Sequence, residues 1–161
     1  MILDSGERRQ FYDADGKPLG VRDISEDKGR CDLLPLGVLG DMMEDGILTE
    51  IEAYIRDGQE EHIYGVLRLF SGVVFGGIFE MCLEVSKHYS EGATKYQPRN
   101  WEKGIPMHCY IDSGVRHYFK WRRGDKDERH DRAFIWNMLG LLWTAENKPE
   151  LNDLPWKEGN I

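Results

Sequence analysis

Three neighbouring blocks decide how this chain is read: HYSEGATKYQPRNW (88–101), DSGVRHY (112–118) and GDKDERHDRAFIWN (124–137). Each reads as a helix or a helix end, and together they carry nearly every side chain able to do chemistry. On the first helix Glu84, His88, Glu91 and Lys95 fall at spacings of four, three and four. At 3.6 residues per turn this puts two acids, an imidazole and an amine on one face. The second sets Asp112 four residues before Arg116, with His117 one position round the helix. The third sets Asp127, His130 and Asn137 on one face, ahead of the apolar run MLGLLW (138–143). One such stripe is ordinarily a solvated face laced with i,i+3 and i,i+4 pairs. Three in succession are harder to dismiss, because burying such groups costs several kcal/mol unless they are paired or bound to metal.

The acids Glu84, Glu91, Asp112, Asp127 and Glu128 are the candidate ligands of Mg2+ or Mn2+. A hard cation of this kind needs only one or two protein carboxylates beside substrate oxygens and water. Asp112, His117 and His130 are the candidates for orienting an attacking water. Lys95, Tyr96, Asn100 and Trp101 bring a cation, a phenol, an amide and a large ring within seven residues. These are groups that a nucleoside triphosphate asks for, and Arg116 and Asn137 extend the candidate substrate set. The plain alternative makes Tyr96 and Trp101 core, Asn100 a cap, Arg116 an ion-pair partner, His117 a satisfied core histidine and Asp127 and Glu128 helix-end charges.

The blocks DKGRCDLLP (27–35), EGATKYQPRNWEKGIP (91–106), DSGVRH (112–117) and GDKDERH with WN (124–137) resemble the dATP/dGTP diphosphohydrolases of phages and prophages. That family is grouped with the MazG-like nucleoside triphosphate pyrophosphohydrolases. The resemblance runs over roughly residues 22–144 in matching order. It implies an all-α bundle, attack at the α-phosphorus of a purine nucleotide, a monophosphate and pyrophosphate as products, and a homo-oligomer, dimer or tetramer. Against the family pattern, residues 40–77 read as a helical insertion. Where the wider group has an ExxD pair on its last site helix this chain has Phe134 and Asn137, so its ligands cannot be copied by position.

The remainder bounds the answer. With 161 residues the chain is expected to form one domain: an arm or hairpin over 1–27, the insertion, and site helices over 84–144. A net charge of −8 opposes a surface that seeks nucleic-acid backbone. Cys31, Cys82 and Cys109 lack CxxC spacing, so they are expected to be reduced, mostly buried and no zinc site. The start MILDSGERRQ has no leader pattern, and the apolar run Leu69–Phe79 is too short for a bilayer, so a cytoplasmic protein without a membrane partner is expected. DADGKPLG (13–20) reads as a turn, and Lys28 and Arg30 either as plain turn charges or as basic groups of an arm that closes over the site or its dimer neighbour. Leu48, Ile51 and Ile55, then Ile63, Val66, Leu67 and Phe70, recur at helical spacing, while SGVVFGG (71–77) lacks the GxxxxGK pattern and reads as a helix junction. Two rival functions remain open. One is an HD-type phosphohydrolase built on His130-Asp131 with His88 or His108 and Asp153; the other is a non-enzymatic helical adaptor.

Overall fold

Local punctuation sets where the elements begin and end. In the computed structural model, which describes residues 7–24 and 28–157, Asp13 Oδ1 accepts from the amides of Asp15 and Lys17, and Gly16 takes φ 80°. The turn joins β1 (Glu7–Tyr12) to β2 (Pro18–Ile24) as an antiparallel hairpin with an irregularity between Gln10 and Tyr12. The expected arm over 1–27 is thus this hairpin, with residues 1–6 and 25–27 outside the described residues.

A 3-10 turn (Cys31–Leu33) leads into α1 (Leu36–Met43), α2 (Gly46–Asp57) and α3 (Glu61–Phe70). Asp45 caps α2 through the amides of Ile47 and Leu48, and Gly58 at φ 69° ends it. A π-turn (Ser71–Phe75) and Gly76-Gly77 then turn the chain by 90° into α4 (Ile78–Lys95), so SGVVFGG is a helix junction. After a 3-10 turn (Asn100–Lys103) come α5 (Met107–Arg123), closed by Gly124 at φ 91°, and α6 (His130–Asn147). The fold is all-α with a small two-stranded sheet. No single helix among the described residues is long and apolar enough to cross a membrane.

The apolar stripes converge on Phe70, whose ring lies 4.9 Å from Phe134 and 5.0 Å from Trp121. Ile47, Leu48 and Ile51 of α2 and Ile63 and Val66 of α3 are buried in the same cluster as Tyr110, Val115, Tyr118 and Met138. Residues 40–77 therefore build a wall of the core that holds α5 and α6. Asp45 ties that wall to α5 by accepting from the Tyr118 hydroxyl (2.5 Å) and Arg122 (3.0 Å). Leu154 is buried and Trp156 sits edge-on to Tyr54 at 6.0 Å, docking the C-terminal segment.

Helices α5 and α6 approach closely at two glycines. A methyl group on Gly114 would lie 2.7 Å from Met138 Cε, and one on Gly140 would overlap the Tyr110 ring. Gly140→Ala is therefore expected to cost about 1–3 kcal/mol through overpacking. In thermal unfolding followed by circular dichroism this is a fall of roughly 2–12 °C in Tm. An unchanged Tm would mean that the Tyr110 ring moves aside freely.

Candidate active site

The loop between α5 and α6 folds back so that the first residue of α6 meets the middle of α5. His130 Nδ1 and His117 Nδ1 stand 2.9 Å apart. His130 Nε2 lies 2.8 Å from Asp127 Oδ1, and Glu128 Oε1 is 3.3 Å from His117 Nδ1 and 3.6 Å from His130 Nδ1. The His130 side chain is 1% exposed, whereas Asp127 and Glu128 at the mouth are 65% and 49% exposed. Burial is the main cause that holds the His117 imidazole well below its ordinary pKa, and His130, Arg22, His88 and Lys120 add to it. His117 is therefore neutral at physiological pH. The hydrogen bond from His130 draws the Asp127 carboxyl below its usual range.

The hairpin contributes the cation of this site. Arg22 on β2 donates from Nη2 to Asn137 Oδ1 at 2.6 Å and lies over the rings of Tyr110 (5.6 Å) and Trp136 (5.7 Å). Its Nη1 is buried without a hydrogen-bond partner. Asn137 in turn donates to the Ala133 carbonyl at 2.8 Å, so its amide serves to hold Arg22. His88 faces Trp136 at 6.2 Å, and burial lowers its pKa although the Glu91 charge pulls the other way.

The other candidates lie elsewhere. Glu84 is engaged by Lys87 (2.9 Å), Arg132 and Arg129 (3.5 Å), and Lys87 first, then Arg132, draw its carboxyl down to about 2. Asp112 accepts from the Cys31 amide (2.6 Å) and from Arg116 (2.5 Å), while Arg116 also donates to the Gly29 carbonyl at 2.6 Å. That acid and that arginine pin the turn after β2 onto α5. Arg30 pairs with its neighbour Asp32 at 2.6 Å. Glu91 is exposed on α4. Asn100 imitates a strand neighbour: Oδ1 accepts from the Val21 amide (3.3 Å) and Nδ2 donates to its carbonyl (3.2 Å). Trp101 packs edge-on against Trp143 at 5.1 Å beneath Arg99. Tyr96 lies under Arg8 (5.5 Å) and Lys95 (5.2 Å).

Among the described residues, two groups of side chains are placed to share a cation: His117–Glu128–His130 and Asp125–Asp127–His130. Of the five acids expected to hold metal, only Asp127 and Glu128 belong to them. Both acids lie in the loop just before α6, which begins at His130. Asp125 is committed to Arg123 by 2.8 and 2.5 Å contacts. Arg22 carried no local signal, because nothing in a hairpin sequence says which helix its outer strand will meet.

The HD reading needs His130-Asp131 joined by His88 or His108 and by Asp153. Instead Asp131 pairs with Arg129, and His108 pairs with Asp153 through its ring Nδ1 and its amide (2.9 Å), with Cys109 Sγ 3.5 Å from its Nε2. The cysteines are free: Cys109 is buried, Cys31 half-buried, and Cys82 exposed, contrary to the expectation of burial. The Asp153 hydrogen bond raises His108 to a pKa of about 10. A raised histidine adds stability that is complete below its unfolded pKa, near 6.5, and vanishes as pH climbs through the folded one. The melting temperature of the native chain should therefore exceed that of His108→Asn at pH 7, and the gap should close by about pH 11. A gap independent of pH would show that the pair contributes no charge.

An all-α protein thus brings paired imidazoles, carboxylates and an arginine together where its site helices meet. The family described as dATP/dGTP diphosphohydrolase, N-terminal, matches residues 69–154, more than half of the chain, and the chain belongs to that family. No curated protein and no solved structure matches it.

Proposed function

We propose that this protein hydrolyses a purine deoxynucleoside triphosphate, dATP or dGTP, to the monophosphate and pyrophosphate. One observation carries the reading: the family match over 69–154 spans α4, α5 and α6, and so contains the whole histidine–carboxylate cluster. In the reaction the oxygen of water bonds to the α-phosphorus, the α–β anhydride bond breaks, and pyrophosphate leaves with the bridging oxygen. Asp127 holds His130 with Oδ1 and sits at the open side of the cluster, where it takes the proton of the attacking water. Arg22 meets the phosphate charge through Nη1, the guanidinium nitrogen that lacks a partner.

The resemblance implies Mg2+ or Mn2+, and the donor set fits a divalent ion in part. His117, His130 and Glu128 would hold it, while Glu84 and Asp112 are taken up by arginines. A bound ion would supply positive charge against the phosphates and acidify a water.

Incubation with each dNTP and NTP, with Mg2+ and with Mn2+, followed by anion exchange, tests the reading. Monophosphate and pyrophosphate from dATP or dGTP are expected. Nucleoside plus triphosphate would move the assignment to the HD chemistry, and no turnover of any nucleotide would favour the adaptor. Within the same assay Asp127→Asn is expected to lower kcat about 100-fold or more, the usual range for losing a general base. Arg22→Ala is expected mainly to raise KM.

A further inference from the structure

The tautomers of the histidine pair are constrained by the acid behind it. Asp127 Oδ1, 2.8 Å from His130 Nε2, accepts a hydrogen bond from the N–H of that nitrogen and so leaves the lone pair of His130 on Nδ1. Imidazoles that ligate metals are commonly fixed in this way, by a carboxylate on the nitrogen away from the ion. The exposed lone pair does not face solvent, since the His130 side chain is 1% exposed. It faces His117 Nδ1 and Glu128 Oε1. Without an ion, His117 has to carry its proton on Nδ1 to meet it; a shift of that proton to Nε2 turns the same three atoms into three converging lone pairs.

The three atoms form a triangle with sides of 2.9, 3.3 and 3.6 Å. An ion bound tetrahedrally at about 2.0–2.1 Å separates its ligands by about 3.3 Å. The triangle therefore matches one face of a tetrahedron and leaves the fourth position open, as do catalytic sites built from two imidazoles and one carboxylate. The donors also select the ion. Mg2+ prefers six oxygens, whereas imidazole nitrogen suits transition ions. Charge does not oppose occupancy: Arg22 and Lys120 act on His117, but Asp125, Asp127 and Glu128 surround the pair. The second group, on the Nε2 side of His130, is the weaker one, because Asp125 is held by Arg123 and Nε2 by Asp127.

We propose that His117 Nδ1, His130 Nδ1 and Glu128 Oε1 bind one divalent transition-metal ion, Zn2+, Co2+ or Mn2+, in preference to Mg2+, with Asp127 as the residue that positions His130. The assignment of this ion to phosphoanhydride hydrolysis rests on the proposed function; the binding itself does not. It departs from the carboxylate-only set of Glu84, Glu91, Asp112, Asp127 and Glu128, of which Glu84, Glu91 and Asp112 belong to no shared group of ligands among the described residues.

The test is a Co2+ titration of the chelator-treated full chain, read by visible absorption, with Zn2+ and Mg2+ as competitors. One Co2+ per chain with the strong bands of a tetrahedral site is expected, displaced by Zn2+ and not by Mg2+ at equal concentration. His130 is fully enclosed, so its replacement risks the fold. The more open ligands carry the test instead: His117→Gln and Glu128→Gln should each weaken Co2+ binding at least 10-fold with melting curves that show a folded chain, and Glu91→Gln should leave it unchanged. Weak octahedral bands, Mg2+ competing as well as Zn2+, or equal binding in all variants would overturn the site. If Co2+ binds as described and no nucleotide is hydrolysed, the metal site stands and the diphosphohydrolase reading falls. If His117→Gln still hydrolyses dGTP or dATP with Mg2+ and Co2+ finds no site, the reverse holds.

Discussion

The close approach of α5 and α6 is the constraint on which the rest depends. Gly114 faces Met138 and Gly140 faces the Tyr110 ring, so each helix receives the other's bulk where it carries none of its own. That contact fixes where α6 begins relative to the middle of α5. It thereby decides that His130, at the first position of α6, meets His117. The loop residues Asp127 and Glu128 follow from the same closure, since five residues separate Gly124 from His130 and the chain has no slack to carry them elsewhere. Packing density makes such a contact unforgiving, because interiors leave little space for an added methyl group.

The second dependence is the docking of the hairpin. Asn100 supplies both hydrogen bonds that a neighbouring strand would give Val21, and the Gly20 amide donates to the Gly104 carbonyl at 2.7 Å. This places Arg22, the next residue along β2, over the rings of Tyr110 and Trp136 with Asn137 as its acceptor. A small sheet in an all-α protein thus positions a cation. Asn100 and Asn137, both expected to touch substrate, hold the residue that reaches into the site.

The sequence made the helices legible because their information is local. The turn at Asp13–Gly16, the cap at Asp45, the stops at Gly58 and Gly124 and the stripes of Leu48, Ile51, Ile63 and Val66 act within a few residues. The site was legible in part. His117, His130, Asp127 and Glu128 were singled out and stand together. Glu84, Asp112 and Arg116 were singled out equally well, yet they spend their charge on Arg132, the Cys31 amide and the Gly29 carbonyl. Spacing cannot tell an acid that awaits a cation from one already answered by an arginine.

By itself, then, the sequence determined the helical class, several of the turns and stops, and the family, because periodicity, capping and short motifs are properties of neighbouring residues. The tertiary structure alone decided which charged groups face one another. Arg22 and Asn137 are 115 residues apart, Glu84 and Arg132 are 48 apart, and His117 and His130 face each other only through the glycine contact of α5 with α6. Burial sets the protonation and availability of each group, and burial is a property of the packed chain.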